Sequence, residues 1–475
     1  MSRQKTQKTS FQNTKIVLGI DIGTSGVRGC IVEKTSEPHS SEPMGYDRIL
    51  LSVAIKSPVK GGHSNLKQAN KASTQNPKLW IELTNTLFAK LAESFDLSKV
   101  TQLILDATSS TVLLCSPQGE ALTDALMYND QQAIKQAKDI QRIVGSNSET
   151  AAQGVSSTLA KSLFLLENNL PNSFQSTPIV CHQIDYINYY LCGSLKITDE
   201  NNALKLGYDS IKQAWPDWLE ELIDPDFLPK VVTPGTPLGF IDSKLVQEYG
   251  FSPNLVVHAG TTDSIAGFLA SGASQVGDAV SSLGSTLAVK LITTKPVFNA
   301  KSGIYSHKLK HNWLVGGASN SGGAILLKEY SVEEIEYLIH SIKTSFSHAD
   351  QTKLSDAYYP LNGVGERFPI ADLTLQPKMP LKPNTPLVNR TPKLASKEHQ
   401  AYFMNLIKGL THIEHLAYKE LSQVSGTQLQ GLFSVGGGVQ NTLWMQLRKT
   451  QFGQTADIKR ADSLEAAYGV TKLIE

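Results

Sequence analysis

A carboxylate in the run HAGTTDS, residues 258–264, stands where an apolar stretch gives way to a helical pattern. This residue is Asp263. A carboxylate at the end of a strand can face a cleft, and there it can accept the proton of an attacking hydroxyl group as a general base. Aspartate is also a favoured N-terminal cap of helices, and one residue can serve both purposes. The position makes Asp263 a candidate for acid–base chemistry, with helix capping as the alternative.

A turn of small residues near the start of the chain suits the binding of an anion. In GIDIGTSGVRGCIVE, residues 19–33, two apolar runs flank the turn Gly23-Thr24-Ser25-Gly26. Glycine lets backbone N–H groups approach an anion closely, and the two hydroxyl groups add further donors. The pattern predicts a hairpin, and the hairpin is either purely structural or presents a phosphate site.

Two charged residues flank this turn on the paired strands. Asp21 ends the first apolar run, and its carboxylate suits a hydrated Mg²⁺, which prefers oxygen ligands and keeps several waters. Arg28 lies on the returning strand and offers a guanidinium to phosphate oxygens. Both residue types favour the phosphate interpretation of the hairpin.

Two later turns have a related character. Gly284-Ser285-Thr286 separates two apolar runs, and alone it indicates nothing more than a turn. Paired with the first turn, it could close on a phosphate chain from a second domain. Gly436-Gly437-Gly438 follows an apolar strand and precedes a helix, so a flat nucleotide base could lie against its bare backbone. Asn441 would reach that base from the first turn of the helix, although a tight structural turn is the alternative.

Other reactive motifs are excluded by the sequence. There is no GxxxxGK[ST], no GxGxxG and no GxSxG. His307 and His311 have a possible metal-ligand spacing, but the intervening lysines disfavour a cation, so we expect both histidines at the surface.

Length and composition bound the class of protein. The chain has 475 residues, 40% of them hydrophobic and 18% charged, with 35 glycines, which predicts an α/β protein of two domains. The net charge of +1 and the lack of a basic stripe disfavour a nucleic-acid partner. No apolar run approaches the roughly 20 residues that span a membrane. Four cysteines without CxxC spacing indicate buried thiols in a reducing, cytoplasmic setting.

Two β-turn-β patterns, at 15–33 and 279–292, stand far apart and predict two related halves that face each other across a cleft. Apolar residues at helical spacing predict helices at 78–95, 263–271 and 398–423.

The segment Met1–Thr14 is basic and free of acidic residues, which is typical of a tail. It is short for a plastid transit segment.

The order DIGTSGVR, AGTTDS, the turn at 284–286 and VGGGVQNTLWMQL resembles the FGGY carbohydrate kinases, which have the actin/hexokinase-type fold. The resemblance spans nearly the whole chain and includes QNPKLW, TPGTPLG, GERFP and EAAYG. The runs NNALKLGYD, 201–209, and ASNSGGA, 318–324, look closest to the plant and cyanobacterial branch of D-ribulose kinases.

The resemblance implies roles for the candidate residues already named. Asp263 matches the catalytic base and Asp21 the acid near Mg²⁺, which it would contact through water. The positions implied to bind ATP are Gly23, Thr24, Ser25, Arg28, Gly284, Ser285, Thr286, Gly436, Gly437 and Asn441. Many relatives read Gly-Thr-Ser where this chain has Gly-Ser-Thr, so both hydroxyl groups are kept.

The implied sugar pocket departs from the family pattern. Xylulose kinases typically read SGQxHG where this chain reads DATSST, residues 106–111. By alignment of the following apolar run, Ser109 stands in place of the histidine that contacts the ketose. Ser109 and Ser110, with Asp263, are the substrate-binding candidates, and the loss of the histidine favours D-ribulose over D-xylulose.

The resemblance therefore implies an α/β, two-domain actin/hexokinase-type (ribonuclease H-like) fold with an ATP and sugar cleft between the domains. Residues 1–270 form the expected N-terminal domain, completed by about 455–475, and residues 271–454 form the C-terminal domain. The expected reaction is ATP- and Mg²⁺-dependent phosphorylation of a ketopentose, D-ribulose to D-ribulose 5-phosphate.

Two alternatives remain open. One is a kinase of D-xylulose or another polyol, and the other is an ATPase or nucleotide-binding regulator of the actin/heat-shock class. The expected partners are a small sugar and ATP, with no nucleic acid and no membrane, in a cytoplasmic monomer or homodimer.

Overall fold

The computed structural model describes residues 14–35, 47–58, 72–145, 149–171, 174–299, 302–347, 355–387 and 394–474. Apart from Thr14, the predicted N-terminal tail lies outside the described residues. No helix in the described ranges is both long enough and apolar enough to span a membrane.

Strands and helices are interspersed along the chain. The strands are β1 (Thr14–Gly23), β2 (Gly26–Thr35), β3 (Asp47–Lys56), β4 (Thr74–Gln75), β5 (Gln102–Ala107), β6 (Val112–Cys115), β7 (Ala125–Leu126), β8 (Ile179–His182), β9 (Ile197–Asp199), β10 (Lys230–Val232), β11 (Pro237–Phe240), β12 (Val256–Thr262), β13 (Asp278–Leu283), β14 (Leu287–Thr293), β15 (Tyr305–Leu309), β16 (Asn312–Ala318), β17 (Gly431–Val435) and β18 (Asp457–Arg460). The helices are α1 (Lys78–Ala92), α2 (Ile134–Val144), α3 (Thr158–Asn168), α4 (Gln183–Cys192), α5 (Glu200–Ala203), α6 (Ser243–Tyr249), α7 (Asp263–Ala270), α8 (Gly323–Glu329), α9 (Val332–Ser345), α10 (Lys397–Ser425), α11 (Thr442–Phe452) and α12 (Ala466–Val470).

The first half of the chain is built on a six-stranded sheet with the order β11-β12-β5-β1-β2-β3. β1, β2 and β3 form an antiparallel meander, whereas β5 pairs parallel to β1 and β12 parallel to β5. The middle of β1 is buried, which explains its near-continuous apolar sequence. The predicted hairpin around Thr24 and Ser25 is confirmed, since Gly23 pairs with Gly26.

The second half repeats this arrangement in a sheet with the order β15-β16-β14-β13-β17-β18. β13, β14 and β16 form the antiparallel meander, and β17 and β18 continue parallel beyond β13. The expectation of two related halves in a two-domain α/β fold is confirmed. A smaller sheet, β4-β7-β6-β8, and the pair β9-β10 are additions to the first half.

Helices α7 and α12 pack against each other and join the two halves. Their apolar side chains, among them Ile265, Phe268 and Val470, share one buried cluster with residues of both sheets. Gly469 on α12 lies so close to α7 that a Cβ atom there would sit 1.9 Å from the carbonyl oxygen of Ala266. The contact between α7 and α12 is thus close-packed.

The last elements of the chain pack against different sheets. β18 lies within the predicted completion of the N-terminal domain, 455–475, but it pairs with β17 in the second sheet. The part of this segment that packs against β1 and β2 is α12. The segment that completes the first half thus begins after β18, and the other domain bounds stay predictions.

A buried ion pair ties together the elements of the second half. Arg448 on α11 donates to both carboxylate oxygens of Glu414 on α10, at 2.7 and 2.8 Å, and to Ser434 Oγ on β17 at 2.6 Å. Ser281 on β13 also donates to Glu414. Both charged side chains are fully buried, so each depends on the other for compensation.

We expect Arg448→Met to lower the free energy of unfolding by about 3–5 kcal/mol, because it leaves the Glu414 carboxylate buried without its cation. Lys449→Met is the matched control, since Lys449 is the next residue on α11 and is exposed; its effect should stay within about 0.5 kcal/mol. Urea unfolding of the wild type, Arg448→Met and Lys449→Met measures the loss of stability in each variant. A loss below about 1 kcal/mol for Arg448→Met would contradict the assigned role of the pair.

Candidate active site

Three carboxyl groups meet at one edge of the first sheet. Asp21 lies near the end of β1, Asp106 near the end of β5, and Asp263 directly after β12. These strands run parallel, Asp21 is the register partner of Asp106, and Asp106 that of Thr261. The carboxyl ends of parallel strands share one edge, which is where α/β sheets bind their ligands.

Asp21 is held by Arg28 across the predicted hairpin. The two residues are register partners in β1 and β2, and Arg28 Nη1 donates to Asp21 Oδ2 at 2.8 Å. Burial raises the pKa of Asp21, while the hydrogen bond and positive charge of Arg28 act in the opposite direction. Half of the Arg28 side chain stays exposed at this edge, so it remains accessible to an anion.

Asp106 is a site residue that the sequence interpretation missed. Its side chain is fully buried, and no donor of the described residues reaches either carboxyl oxygen. Burial and the negative charges of Asp21 and Asp263 raise the pKa of Asp106 far above its usual range. The sequence contained a signal for this residue. In both LILDATSS and GIDIGTSG, an apolar run leads to an aspartate that is followed by small residues.

Asp263 is the first residue of α7, and Thr262 is the N-terminal cap. Asp263 Oδ1 accepts the Ser264 backbone N–H at 2.7 Å. Burial raises the pKa of Asp263, and the cations of Lys290 and Lys205 oppose that rise. Lys290 belongs to the second half, and its Nζ donates to the Ser264 carbonyl oxygen at 2.7 Å. The candidate base thus lies where both halves meet.

The two glycine–hydroxyl turns occupy equivalent places, between β1 and β2 and between β13 and β14. The carbonyl groups of Gly284 and Ser285 accept the N–H groups of Gly323 and Ala324 at 2.8 and 3.1 Å. Ser285 and Thr286 are exposed. Across the described ranges, no hydrogen bond joins the first turn to the second.

The triple-glycine turn packs directly beside the second hydroxyl turn. Gly436 has a φ of +88°, and a Cβ atom there would lie 3.0 Å from the Leu283 carbonyl group and 3.2 Å from Gly284 N. Gly437 instead borders open space. Asn441 caps α11 through Oδ1, which accepts the Trp444 N–H at 3.1 Å, and its Nδ2 has no partner in the described part of the chain. This amide can donate to a ligand lying along the turn.

The predicted sugar-binding serines have different surroundings. Ser110 is buried, has a φ of +65°, and its Oγ accepts a hydrogen bond from Thr158 Oγ1 at 3.2 Å. Lys161 on α3 is also buried, and its Nζ donates to the carbonyl oxygens of Ser110 and of Met127, the latter at 2.8 Å. Ser110 therefore faces inward, whereas Ser109 is partly exposed.

The surface expectation for His307 is wrong. The side chain lies on β15, is 5% exposed, and packs edge-on to Tyr305 with ring centroids 5.1 Å apart. Burial, followed by the charges of Lys290 and Lys205, lowers the pKa of His307 well below its usual range. His307 is buried even though β15 is the edge strand of the second sheet, which the local lysine-rich sequence did not indicate. His311, in contrast, is exposed as expected.

Lys161 predicts a specific pH dependence of stability. Burial lowers its pKa to about 7, whereas an unfolded lysine titrates near about 10.4. Between these values the unfolded chain binds a proton that the folded protein lacks, so stability rises with pH. The free energy of unfolding of the wild type minus that of Lys161→Met should therefore rise from pH 7 to 9, by up to about 1.4 kcal/mol per unit.

Urea unfolding at pH 7, 8 and 9 measures this difference, in which all other titrating groups cancel. Lys138→Met, an exposed substitution on α2, is the control and should give a flat difference. A flat difference for Lys161→Met as well would contradict the proposed burial of the charged group.

Comparison with known proteins places this chain in a family. Residues 16–270 match the FGGY family of carbohydrate kinases, N-terminal domain. The xylulose kinase of Staphylococcus xylosus is 22% identical over 475 aligned residues, which cover 96% of this chain and 90% of that protein.

Solved structures share the fold at low sequence identity. The ligand-bound xylulose kinase of Lactobacillus acidophilus superimposes with a TM-score of 0.73 at 16% identity, over 97% of this chain and 88% of that chain. The gluconate kinase of Lactobacillus acidophilus gives 0.74 at 18% identity, over 97% and 89% of the two chains. The family match spans more than half of the sequence, and the protein belongs to the FGGY family of carbohydrate kinases.

Proposed function

We propose that the protein transfers the γ-phosphoryl group of ATP to the terminal hydroxyl of D-ribulose, giving D-ribulose 5-phosphate. The observation that carries the proposal is the position of Asp263. It follows β12 at the sheet edge that also bears Asp21, and it lies beside Lys290 from the opposite half. A base between two halves that each present a glycine–hydroxyl turn suits transfer from a nucleotide to an alcohol.

Asp263 would act as the general base. Its carboxylate takes the proton of the sugar O5 as that oxygen forms a bond to the γ-phosphorus, and the bond from phosphorus to the leaving ADP oxygen breaks. The turns at Thr24-Ser25 and Ser285-Thr286 would donate hydrogen bonds to the phosphate oxygens. Positioning and electrostatic stabilisation supply most of the rate in such transfers.

Asp21 fits the role of a magnesium partner. Its carboxylate is buried at the sheet edge with one oxygen on Arg28, and oxygen ligands of this kind suit Mg²⁺. In the described ranges, no three His, Cys, Asp or Glu side chains form a cluster that could enclose a metal ion. Asp21 would hold a hydrated Mg²⁺ through its waters, and the bound ion would neutralise phosphate charge.

The choice of D-ribulose rests on Ser109, which is partly exposed and stands where xylulose kinases typically have a histidine. A serine hydroxyl is shorter than an imidazole and makes different hydrogen bonds, so the pocket should not retain the D-xylulose contacts. The similarity to xylulose kinases favours D-xylulose as the second candidate substrate. An ATPase without a sugar acceptor is disfavoured, because it would not need the Asp263 carboxylate.

Replacement of the base gives the central test. Asp263→Asn should reduce acceptor-dependent ADP release by about 10²–10⁴-fold, since general bases contribute by that factor. ADP release is measured with D-ribulose, D-xylulose, ribitol and glycerol as acceptors. Asp217→Asn, an exposed aspartate, is the control and should leave the rate unchanged.

The outcomes separate the alternatives. Asp263→Asn with wild-type rates would disprove the base assignment. A higher kcat/KM on D-xylulose than on D-ribulose would favour the second substrate. If none of the acceptors raises ADP release by the wild type, the kinase reaction proposed here is wrong.

The nucleotide site can be tested at Gly437, where an added methyl group meets no protein atom within 4 Å. Gly437→Ala should therefore leave the melting temperature unchanged but raise the KM for ATP by about tenfold or more, because the methyl group occupies space needed by the adenosine. The KM for the sugar should not change. Gly363→Ala, which also borders open space, is the control for steady-state kinetics. An unchanged KM for ATP would exclude Gly437 from the nucleotide site.

A further inference from the structure

The motif GERFP, residues 365–369, carries a carboxyl group that is buried and surrounded by hydrogen-bond donors. Glu366 is 0% exposed, and no cation among the described residues forms an ion pair with it. Its oxygens accept hydrogen bonds instead, Oε2 from Ser319 Oγ and Tyr359 OH, and Oε1 from the N–H groups of Asn320, Arg367 and Phe368. A buried carboxylate is costly unless its oxygens are satisfied, and a satisfied polar network fixes the groups that supply the donors.

Two of these donors belong to the connector 319–322, which joins β16 to α8. Ser319 donates to Glu366 through its hydroxyl, and Asn320 through its N–H at 2.7 Å. Asn320 Nδ2 also donates to the Gly365 carbonyl oxygen at 3.0 Å, and Ser319 Oγ accepts the Ser321 N–H at 2.9 Å. Glu366 and its neighbour therefore fix the conformation of the connector from one side.

The other side of the connector contacts the second hydroxyl turn, residues 284–286. Leu287, which follows the turn, donates its N–H to the Ser321 carbonyl oxygen and accepts the Ser319 N–H, both at 2.8 Å. A Cβ atom at Gly322 would lie 2.6 Å from the Ser285 carbonyl oxygen. These contacts join backbone to backbone, so a shift of the connector would also shift the turn.

The same contact occupies the acceptors of the turn and leaves its donors available. The carbonyl oxygens of Gly284 and Ser285 accept the N–H groups of Gly323 and Ala324. The N–H groups of Ser285 and Thr286 have no hydrogen-bond partner within the described ranges. A turn that presents free N–H and hydroxyl groups while its carbonyl groups are engaged suits an anion.

We propose that Glu366 is a positioning residue for the nucleotide: its carboxylate holds the connector 319–322, and the connector keeps the donors of Ser285 and Thr286 directed at the phosphate chain of ATP. This inference rests on the proposed function. Glu366 is fully buried and touches no substrate itself. The affinity for ATP should therefore depend on Glu366, whereas the affinity for the sugar should not.

The test measures nucleotide binding by isothermal titration calorimetry without a sugar. Glu366→Ala should weaken the binding of ATP by about tenfold to hundredfold, the factor expected for one lost hydrogen bond to a charged group. Binding of adenosine, which has no phosphate, should stay within about twofold. In steady-state kinetics the KM for ATP should rise in parallel with the loss of ATP affinity, and the KM for the acceptor should not change.

Two variants serve as controls. Glu366→Gln keeps Oε1 as an acceptor for the backbone N–H groups, and its Nε2 can donate to the Ser319 hydroxyl, so it should restore most of the affinity for ATP. Ser341→Ala also removes a buried hydrogen bond from the second half, since Ser341 Oγ on α9 accepts the Ala395 N–H at 3.0 Å. This variant should lower the melting temperature without changing the affinity for ATP.

An equal loss of affinity for ATP and adenosine would overturn the proposal, because Glu366 would then support the nucleotide site as a whole. Unchanged affinity for ATP in Glu366→Ala would overturn it as well. If the wild type binds ATP but phosphorylates no acceptor, the proposed function fails separately, and the comparison of ATP with adenosine still decides the role of Glu366. If Glu366→Ala does not fold, the same comparisons are made with Ser319→Ala, which removes the contact from the connector side.

Discussion

The geometry of this protein depends on a close backbone contact at helix α12. A Cβ atom at Gly19 would lie 1.9 Å from the Ala467 carbonyl oxygen, and one at Gly469 equally close to that of Ala266. Glycine at both positions lets α12 touch β1 on one side and α7 on the other. β1 carries Asp21, and α7 begins with Asp263. The same contact therefore sets the separation between the candidate metal partner and the candidate base.

The clustering of carboxyl groups at one sheet edge has an electrostatic cost that cations from both halves offset. Asp21 has Arg28 beside it, and burial with the neighbouring negative charges raises the pKa of Asp106, which favours its uncharged form. Lys290 of the second half donates to the Ser264 carbonyl oxygen, next to Asp263. A change in the distance between the halves would therefore alter the charge around the candidate base.

Local sequence predicted the parts of the site that a few neighbouring residues can form. The hairpin around Thr24 and Ser25 follows from two apolar runs and a small-residue turn, and the structure contains it. The start of α7 was likewise predicted from the end of an apolar run, although Thr262 rather than Asp263 is the N-terminal cap. The triple-glycine turn was recognised, but not its packing against the second hydroxyl turn, which joins residues far apart in sequence.

By itself, the sequence determined the fold class, the two related halves and the types of group at the two glycine–hydroxyl turns, because these depend on short-range periodicity and turn chemistry. Only the tertiary structure decided which charged residues are buried close to these turns. Parallel pairing brings Asp106 beside Asp21, and Lys161 is buried with its Nζ on the Ser110 carbonyl oxygen. His307 was buried by the second sheet. Burial and long-range pairing determine the charge state and orientation of these side chains, and neither is encoded in any local pattern of residues.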